Sequence, residues 1–597
     1  MTPLGVSKAR GRTRFSVRSP HAELVELCLF EGTTERRVAM RRECDNWTVS
    51  LPEDLAGTPY GYRAHGEWAP QHGRWFDPAK LLVDPYALEL DRRYHYDPCL
   101  GHYGADTAAL VPRAIVPGRL PKAKRRPPCF ARGGLIYEVN VRAFTMLHPE
   151  VPEAQRGTLA ALAHPAVIAH LKKLNVSAVE LMPITAWIDE RHLAPLGLTN
   201  AWGYNPVTMM ALDPRLCPGG VAQLRDTVAA LHAEGIGVLL DLVFNHTGES
   251  DVHGPVLSLR GLDNAAYAHH ADGSLINDTG CGNTLNFAHP AMRELALAAL
   301  RHFVAHCGID GFRFDLAPVL GRSPAFDADA PFFAELAADP LLADRVMIAE
   351  PWDIGPGGYQ LGKFPANWLE WNDHFRDDVR RFWRGDAGVG KLATRIAGSS
   401  DIFGKDCRSV NFLAAHDGFT LLDLVSYAHR HNEANGEQGR DGHHENYSWN
   451  HGAEGPSHDP AVRSARAADQ RALLATLFAA TGTVMLTAGD EFGRTQHGNN
   501  NAYCQDGPIA WLDWQHRDHA LEDYVARLSD WRAARLDWFA QFPEPGEWLH
   551  PEGRAMEIDD WERPGTPGFT YCGADPARPL VISVSRPDRS VKVSAQA

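Results

Sequence analysis

Four short segments place ionisable residues at the ends of apolar runs. They are Asp241-Leu242-Val243-Phe244-Asn245-His246, Gly311-Phe312-Arg313-Phe314-Asp315, Ile348-Ala349-Glu350-Pro351-Trp352-Asp353 and Ala414-Ala415-His416-Asp417-Gly418. A buried strand that ends in a carboxylate is costly unless the group is paired or used. A single case reads as a salt bridge or a loop cap. Three carboxylates with Arg313 and two histidines beside them point to one cleft. Two carboxylates across a cleft are the equipment of glycoside hydrolysis, one attacking the anomeric carbon and the other protonating the leaving oxygen. Arg313 lies two residues before Asp315, so on a strand both face the same way. The cation there would hold Asp315 ionised, as a nucleophile requires. Glu350 sits among Ile348, Ala349, Pro351 and Trp352, neighbours that raise a carboxyl pKa and suit it to general acid work. Asp417 is then left to bind sugar hydroxyls and hold the ring distorted.

Positioning these groups requires strands that end on one face. From about residue 130, buried strands alternate with helical stretches, the signature of β/α units and a parallel sheet. Eight strands are expected: Leu135–Val141, Ala178–Pro183, Gly237–Phe244, Gly311–Asp315, Val346–Glu350, a weak one near Trp368–Trp371, Val410–Ala415 and Val484–Thr487. Helical patterns at Val221–Glu234 and Ala291–His306 fall between them. The expected fold is a multidomain α/β chain whose centre is a (β/α)8 barrel over 126–545, with its active groups on the loops at the strands' C-terminal ends. Residues 1–125 read as a β-sandwich, with strands at Val25–Phe30 and Trp47–Leu51, and 546–597 as a short β-rich region. Sugar faces stack on aromatic rings, and Trp202-Gly203-Tyr204-Asn205-Pro206, just beyond the second strand, is the aromatic loop best placed to supply them.

The composition excludes several classes. The 597-residue chain is 44% hydrophobic and 22% charged, the balance of a globular protein. Its net charge of −15 gives no reason to seek a nucleic-acid backbone. The cluster Lys122-Ala123-Lys124-Arg125-Arg126 before Pro127-Pro128 reads as a solvated linker. Ten scattered cysteines, with no Cys-x-x-Cys pair, suit reduced thiols in a cytoplasmic protein, and the N-terminus carries no secretory apolar region. The uncharged stretch Ala472–Gly489 is better read as a buried helix and strand than as a membrane span. Phosphate-loop, His-Glu-x-x-His and Gly-x-Ser-x-Gly motifs are absent. No metal site is marked: His443, His444 and His451 lie in a polar loop, about 429–460, and read as surface residues. Hydrolysis needs only water, so no cofactor is expected.

These four ordered motifs, with Trp202–Pro206 and Gly489-Asp490-Glu491-Phe492-Gly493, resemble the α-amylase superfamily and, within it, the isoamylase-type bacterial glycogen debranching enzymes. The resemblance runs from about Ser19 to about Trp514. It implies that Asp315 is the nucleophile, Glu350 the acid/base and Asp417 the transition-state stabiliser, with the first two roughly 5–5.5 Å apart as retention requires. It further implies substrate-binding positions at Arg313, His246 and His416, a stacking ring at Tyr204, and a largely structural acid at Asp241. Trp202 and Trp352 are taken as substrate-binding with them. Glu350-Pro351-Trp352-Asp353 together with Ala415-His416-Asp417-Gly418 resembles the debranching group rather than α-amylases, which more often carry Asn-His-Asp at the seventh strand. The implied substrates are glycogen, limit dextrin and maltooligosaccharides, and the N-terminal region is similar to the isoamylase carbohydrate-binding-module-like sandwich. The tail is shorter than the family's usual C-terminal sandwich, and residues 8–14 replace its usual opening. Against α-1,6 debranching stand two alternatives: a same-fold glucan hydrolase of pullulanase, α-amylase or trehalohydrolase type, and a catalytically silent glycan-binding protein.

Overall fold

Eight parallel strands close into a barrel in chain order. The computed structural model describes residues 3–9, 11–575 and 579–595. The strands are β1 (Leu135–Val139), β2 (Val176–Leu181), β3 (Gly237–Leu242), β4 (Gly311–Phe314), β5 (Val346–Ala349), β6 (Leu369–Asn372), β7 (Ser409–Asn411) and β8 (Thr483–Thr487). All eight expected strands are present. β7 is shorter than its apolar run suggests, so His416 and Asp417 stand on a loop beyond it rather than at its last residue.

The strands are buried on both faces, as a barrel wrapped in helices demands. Their two-residue period sends Ile136, Ala178, Leu239, Ile348, Leu369, Val410 and Met485 into one apolar interior cluster. Two residues further along, the register pairs Glu138 with Glu180 and with Thr487, and Asp241 with Arg313. The interior therefore changes from apolar to charged one layer below the strands' C-terminal ends.

Helix starts follow local chemistry. Pro290–His302 begins with proline behind a His289 cap, and Pro460–Ala479 behind Asp459, whose side chain accepts from the Ala461 amide. Proline at the first position gives up an amide that has no partner there anyway. The second helix and β8 account for the uncharged stretch Ala472–Gly489. No helix among the described residues is long and apolar enough to cross a membrane, and none of the ten cysteines is paired.

Two four-stranded antiparallel sheets precede the barrel, between Gly5 and Ile115. Their core runs on into barrel-loop residues Ala186, Ile188, Val207, Val256 and Leu262. The closing four-stranded sheet (Glu547–Leu549, Gly568–Cys572, Leu580–Ser585, Ser590–Ala595) shares the barrel's own core through Phe569, Ile582 and Val584. A sheet this small needs that support to be stable.

Candidate active site

Arg313, wholly buried at the end of β4, is the node of the cleft floor. Its Nη1 donates to both oxygens of Asp241 at 2.9 Å and to Asp315 at 3.1 Å. Its Nη2 lies 3.0 Å from Glu350. The guanidinium is fixed from one side by the ring of Trp371, 4.2 Å away. Asp315 receives a second donor, Asn245 Nδ2, at 2.7 Å. Leu316 then turns into the left-handed region (φ 42°), and its amide donates to Glu350 Oε2 at 2.7 Å. A non-glycine residue in that region costs on the order of 1–3 kcal/mol, here beside the two carboxylates. Burial pushes the Glu350 carboxyl up, against the pull of Arg313, with the Asp315 charge adding to the rise. Below them Glu180 is fully buried, and neither of its oxygens has a hydrogen-bond partner among the described residues. Burial, with the nearby Asp241 charge, raises its pKa well above the ordinary carboxylate value.

The opposite wall is built on β1, β7 and the loop after β2. His416 Nδ1 lies 2.8 Å from Glu138, whose other oxygen accepts from Thr487 at 2.9 Å. Tyr204 stacks on the His416 ring at 4.7 Å and donates to Asp241 at 2.5 Å. Trp202 meets His416 edge-on at 5.0 Å. Gly203 between them has φ 90°, and a Cβ there would come within 2.8 Å of the Pro183 carbonyl, so only glycine permits this turn. Burial opposes charge on His416, but the attraction and hydrogen bond of Glu138 prevail and lift it to about 9. Burial pushes the His246 ring down; its Nε2 lies 2.9 Å from the Tyr204 carbonyl and its Nδ1 against the Asn245 side-chain oxygen. Asp417 lies 2.8 Å from His443. Burial would raise Asp417, but His443, His416 and Arg376 together hold it well below the carboxylate range. Trp352 packs against the barrel's interior cluster.

The structure thus gathers Asp241, Arg313, Asp315, Glu350, Tyr204, Trp202, His246 and His416 around one floor, with Asp417 on the same rim. Comparison with known proteins bears on the chain as a whole. Residues 3–87 match carbohydrate-binding module 48, the isoamylase N-terminal domain. The glycogen debranching enzyme of Serratia proteamaculans (strain 568) is 47% identical over 588 residues, covering 94% of this chain and 89% of that one. That of Klebsiella pneumoniae subsp. pneumoniae is 46% identical, with the same coverage. The chain belongs to the glycogen debranching enzyme family. Among solved structures, the Anoxybacillus sp. LM18-11 pullulanase with maltotetraose shares the fold at TM-score 0.70 and 23% identity, over 98% of this chain and 81% of that one. The Bacillus subtilis type I pullulanase with maltose does so at 0.71 and 22%, over 98% and 79%.

For this family member, sequence reasoning missed several site residues. Asn245 lies in the Asp241–His246 motif, where its residue type alone gives it no role. Glu138 and Glu180 carried a signal, an acid at the end of an otherwise apolar strand, that was read only for β3 to β5 and β7. His443 was read as surface; its side chain is half exposed, yet it reaches Asp417. Among the described residues, Cys129, His232 and Asp310 bring ligating atoms within 4.8 Å of one another. They lie at the other end of the barrel strands. There Asp310 is engaged by His232 at 2.7 Å and by the Cys129 and Val238 amides, a clamp at the start of β4 rather than part of this cleft.

Proposed function

We propose that this enzyme hydrolyses α-1,6 branch linkages of glycogen and of phosphorylase-shortened limit dextrin, releasing short maltooligosaccharides with retention. Asp315 attacks the anomeric carbon as Glu350 delivers its proton to the departing O6, so the C1–O6 bond breaks while the C1–Asp315 bond forms. Glu350, now ionised, takes a proton from water, whose oxygen displaces Asp315 and regenerates both groups. Asp417, held ionised, binds hydroxyls of the cleaved sugar and favours its distorted ring. Arg313, His246 and His416 are substrate-facing donors, Tyr204 and Trp202 the stacking wall, Trp352 a flank of the cleft and Asp241 the brace of Arg313 and Tyr204. The carrying observation is Arg313 touching Asp315 and Glu350 from one fork, while burial leaves Glu350 the proton holder. That is the split of roles a two-carboxylate mechanism needs.

A cytoplasmic location belongs to this reading, since unpaired thiols suit a reducing compartment. So does the division into a sandwich (1–125), a catalytic barrel (126–545) and a dependent C-terminal sheet (546–597). The test is product analysis on glycogen limit dextrin beside linear amylose and pullulan, with Asp315→Asn as control. Short linear oligosaccharides from the dextrin with amylose untouched are expected. Cleavage of amylose would move the reading to an α-amylase activity. No product above the Asp315→Asn level would overturn it.

A further inference from the structure

The seam between the N-terminal sandwich and the helix Pro290–His302 holds a cavity of about 410 Å³, within the range of small-molecule sites. Its walls are largely apolar, with Val6, Leu88, Met210 and Leu341 among them. Two polar atoms in those walls, Tyr86 Oη and His302 Nε2, are buried and have no hydrogen-bond partner among the described residues. His302 itself is 7% exposed, and burial with neighbouring His306 pushes its ring down to about 3, so it is neutral. A buried polar atom without a partner is costly, but these two are shut off from solvent and so from the cavity itself, whose accessible walls are mainly apolar.

Charge identifies the ligand. No acidic residue lines the cavity among those described, while Lys122, Arg301 and His306 do. Arg301 is already neutralised by Asp339 and Glu294. A second cavity of about 240 Å³ shares Lys122, Ala305 and Leu341 with the first and adds Lys124, Arg125, Arg126 and Arg345 beside Ala123, Val304 and Gly308. The basic run is therefore no free linker. The Ala123 amide donates to the Ala305 carbonyl at 2.8 Å, Arg125 to the Pro340 carbonyl at 2.6 Å, and the Arg126 carbonyl accepts from Arg345 at 2.8 Å. Arg125 and Arg345 share Asp344. Lys122 on the apolar cavity and Lys124 on its neighbour, both exposed and without an ion pair among the described residues, in a chain of net charge −15, are a local inversion of the protein's field.

We propose that this seam binds a small organic anion, its apolar body against Leu88 and Met210 and its phosphate or carboxylate at Lys122 and Lys124. Such a ligand would bridge the sandwich, the connecting segment and the barrel helix, away from the catalytic cleft. The probe is 8-anilinonaphthalene-1-sulfonate, titrated by fluorescence into the intact enzyme. One saturable site per chain is expected. The double charge reversal Lys122→Glu/Lys124→Glu should weaken it at least tenfold, and Ala305→Trp, which fills the shared wall, should remove it. Limit-dextrin hydrolysis by the charge-reversed enzyme should be unchanged, which shows that it is folded. Pyrophosphate and citrate as competitors separate the two sources of anion: displacement by either supports the site and names its head group. Displacement by neither, or equal probe binding by wild type and both variants, would overturn the proposal.

Discussion

Replacing Glu138 by Gln keeps the size and hydrogen-bonding reach of the side chain but removes the charge 2.8 Å from His416. Several groups act on that imidazole: Glu138 from β1, Asp417 from its own loop and Arg313 from β4, with the Tyr204 hydroxyl stacked over it and in turn bonded to Asp241. Burial and Arg313 lower its pKa, and the carboxylates raise it to about 9. Against an ordinary value near 6.5 this is worth about 3 kcal/mol, at 1.36 kcal/mol per unit. Without Glu138, burial remains and the ring should titrate at or below 6.5. The folded value is raised, so the stabilisation is complete below pH 6.5 and is lost as pH rises through 9. The melting-temperature gap between wild type and Glu138→Gln should accordingly close over that interval. The functional cost follows from the change of donor. A hydrogen bond from a charged donor exceeds a neutral one by about 1–2 kcal/mol, so kcat/KM on limit dextrin at pH 8 should fall roughly 5–30-fold. The direct assay is an NMR titration of ring-¹⁵N-labelled histidines, with His416→Gln identifying the resonance. A His416 that titrates alike in wild type and Glu138→Gln would refute the argument, whatever the rate does.

Three further outcomes are expected. Because burial raises Glu350, wild-type kcat should decline on the alkaline side as its proton is lost; Glu350→Gln should cut kcat at least 10³-fold and erase that limb, read from pH–rate profiles. His443→Ala removes the partner 2.8 Å from Asp417 and should lower kcat more than it raises KM, by about tenfold, while the far-ultraviolet circular dichroism stays unchanged. Arg532 is buried and donates to the carbonyls of Gly133, Phe478, Ala480 and Gly482, tying the approach to β1 to the segment before β8. Arg532→Met should strand those acceptors and destabilise the barrel by about 3 kcal/mol or more, seen as a lower thermal midpoint with normal KM in the surviving enzyme.

What could be read in the sequence was what local period determines. Arg313 and Asp315 are two residues apart on a strand, so their common direction follows from the pleat. Glu350 follows β5 directly, and its apolar neighbours foretell its proton affinity. Contacts made only by barrel closure could not be read this way. Glu138 and His416 are 278 residues apart and meet because β1 and β8 close the ring beside β7. His443 returns to Asp417 from a loop whose polar composition describes a surface and says nothing of where its tip lands. The basic run before Pro127 is the exposed coil that its composition implies, but its place on the barrel could not be read for the same reason. Its composition is that of a linker, and contacts with distant residues, among them the carbonyls of Ala305 and Pro340 and the Arg345 side chain, set it against the barrel.

One guanidinium serving several carboxylates raises the question of what makes them differ. Asp241 takes both its oxygens to Arg313 Nη1 and a third donor from Tyr204. Asp315 shares that same nitrogen and adds Asn245. Glu350 meets Nη2 and adds the Leu316 amide. Donor count alone therefore does not select the acid. The difference is collective, because Arg313 cannot neutralise Asp241, Asp315 and Glu350 together. The least costly relief is a proton on a carboxyl that burial and the Asp315 charge already raise, which both Asp241 and Glu350 are. Asp241 is held by three contacts and Glu350 by two, so the proton rests on Glu350. Burial and the Asp241 charge raise Glu180 below them in the same direction. The proton that departs with the leaving oxygen is thus stored by the cluster rather than by one residue. Once Glu350 has given it up, Asp315 is bound to the sugar and its charge no longer raises Glu350, so Glu350 stays ionised as the base the second half-reaction requires. The charge that returns to Asp315 on hydrolysis then holds the recovered proton on Glu350.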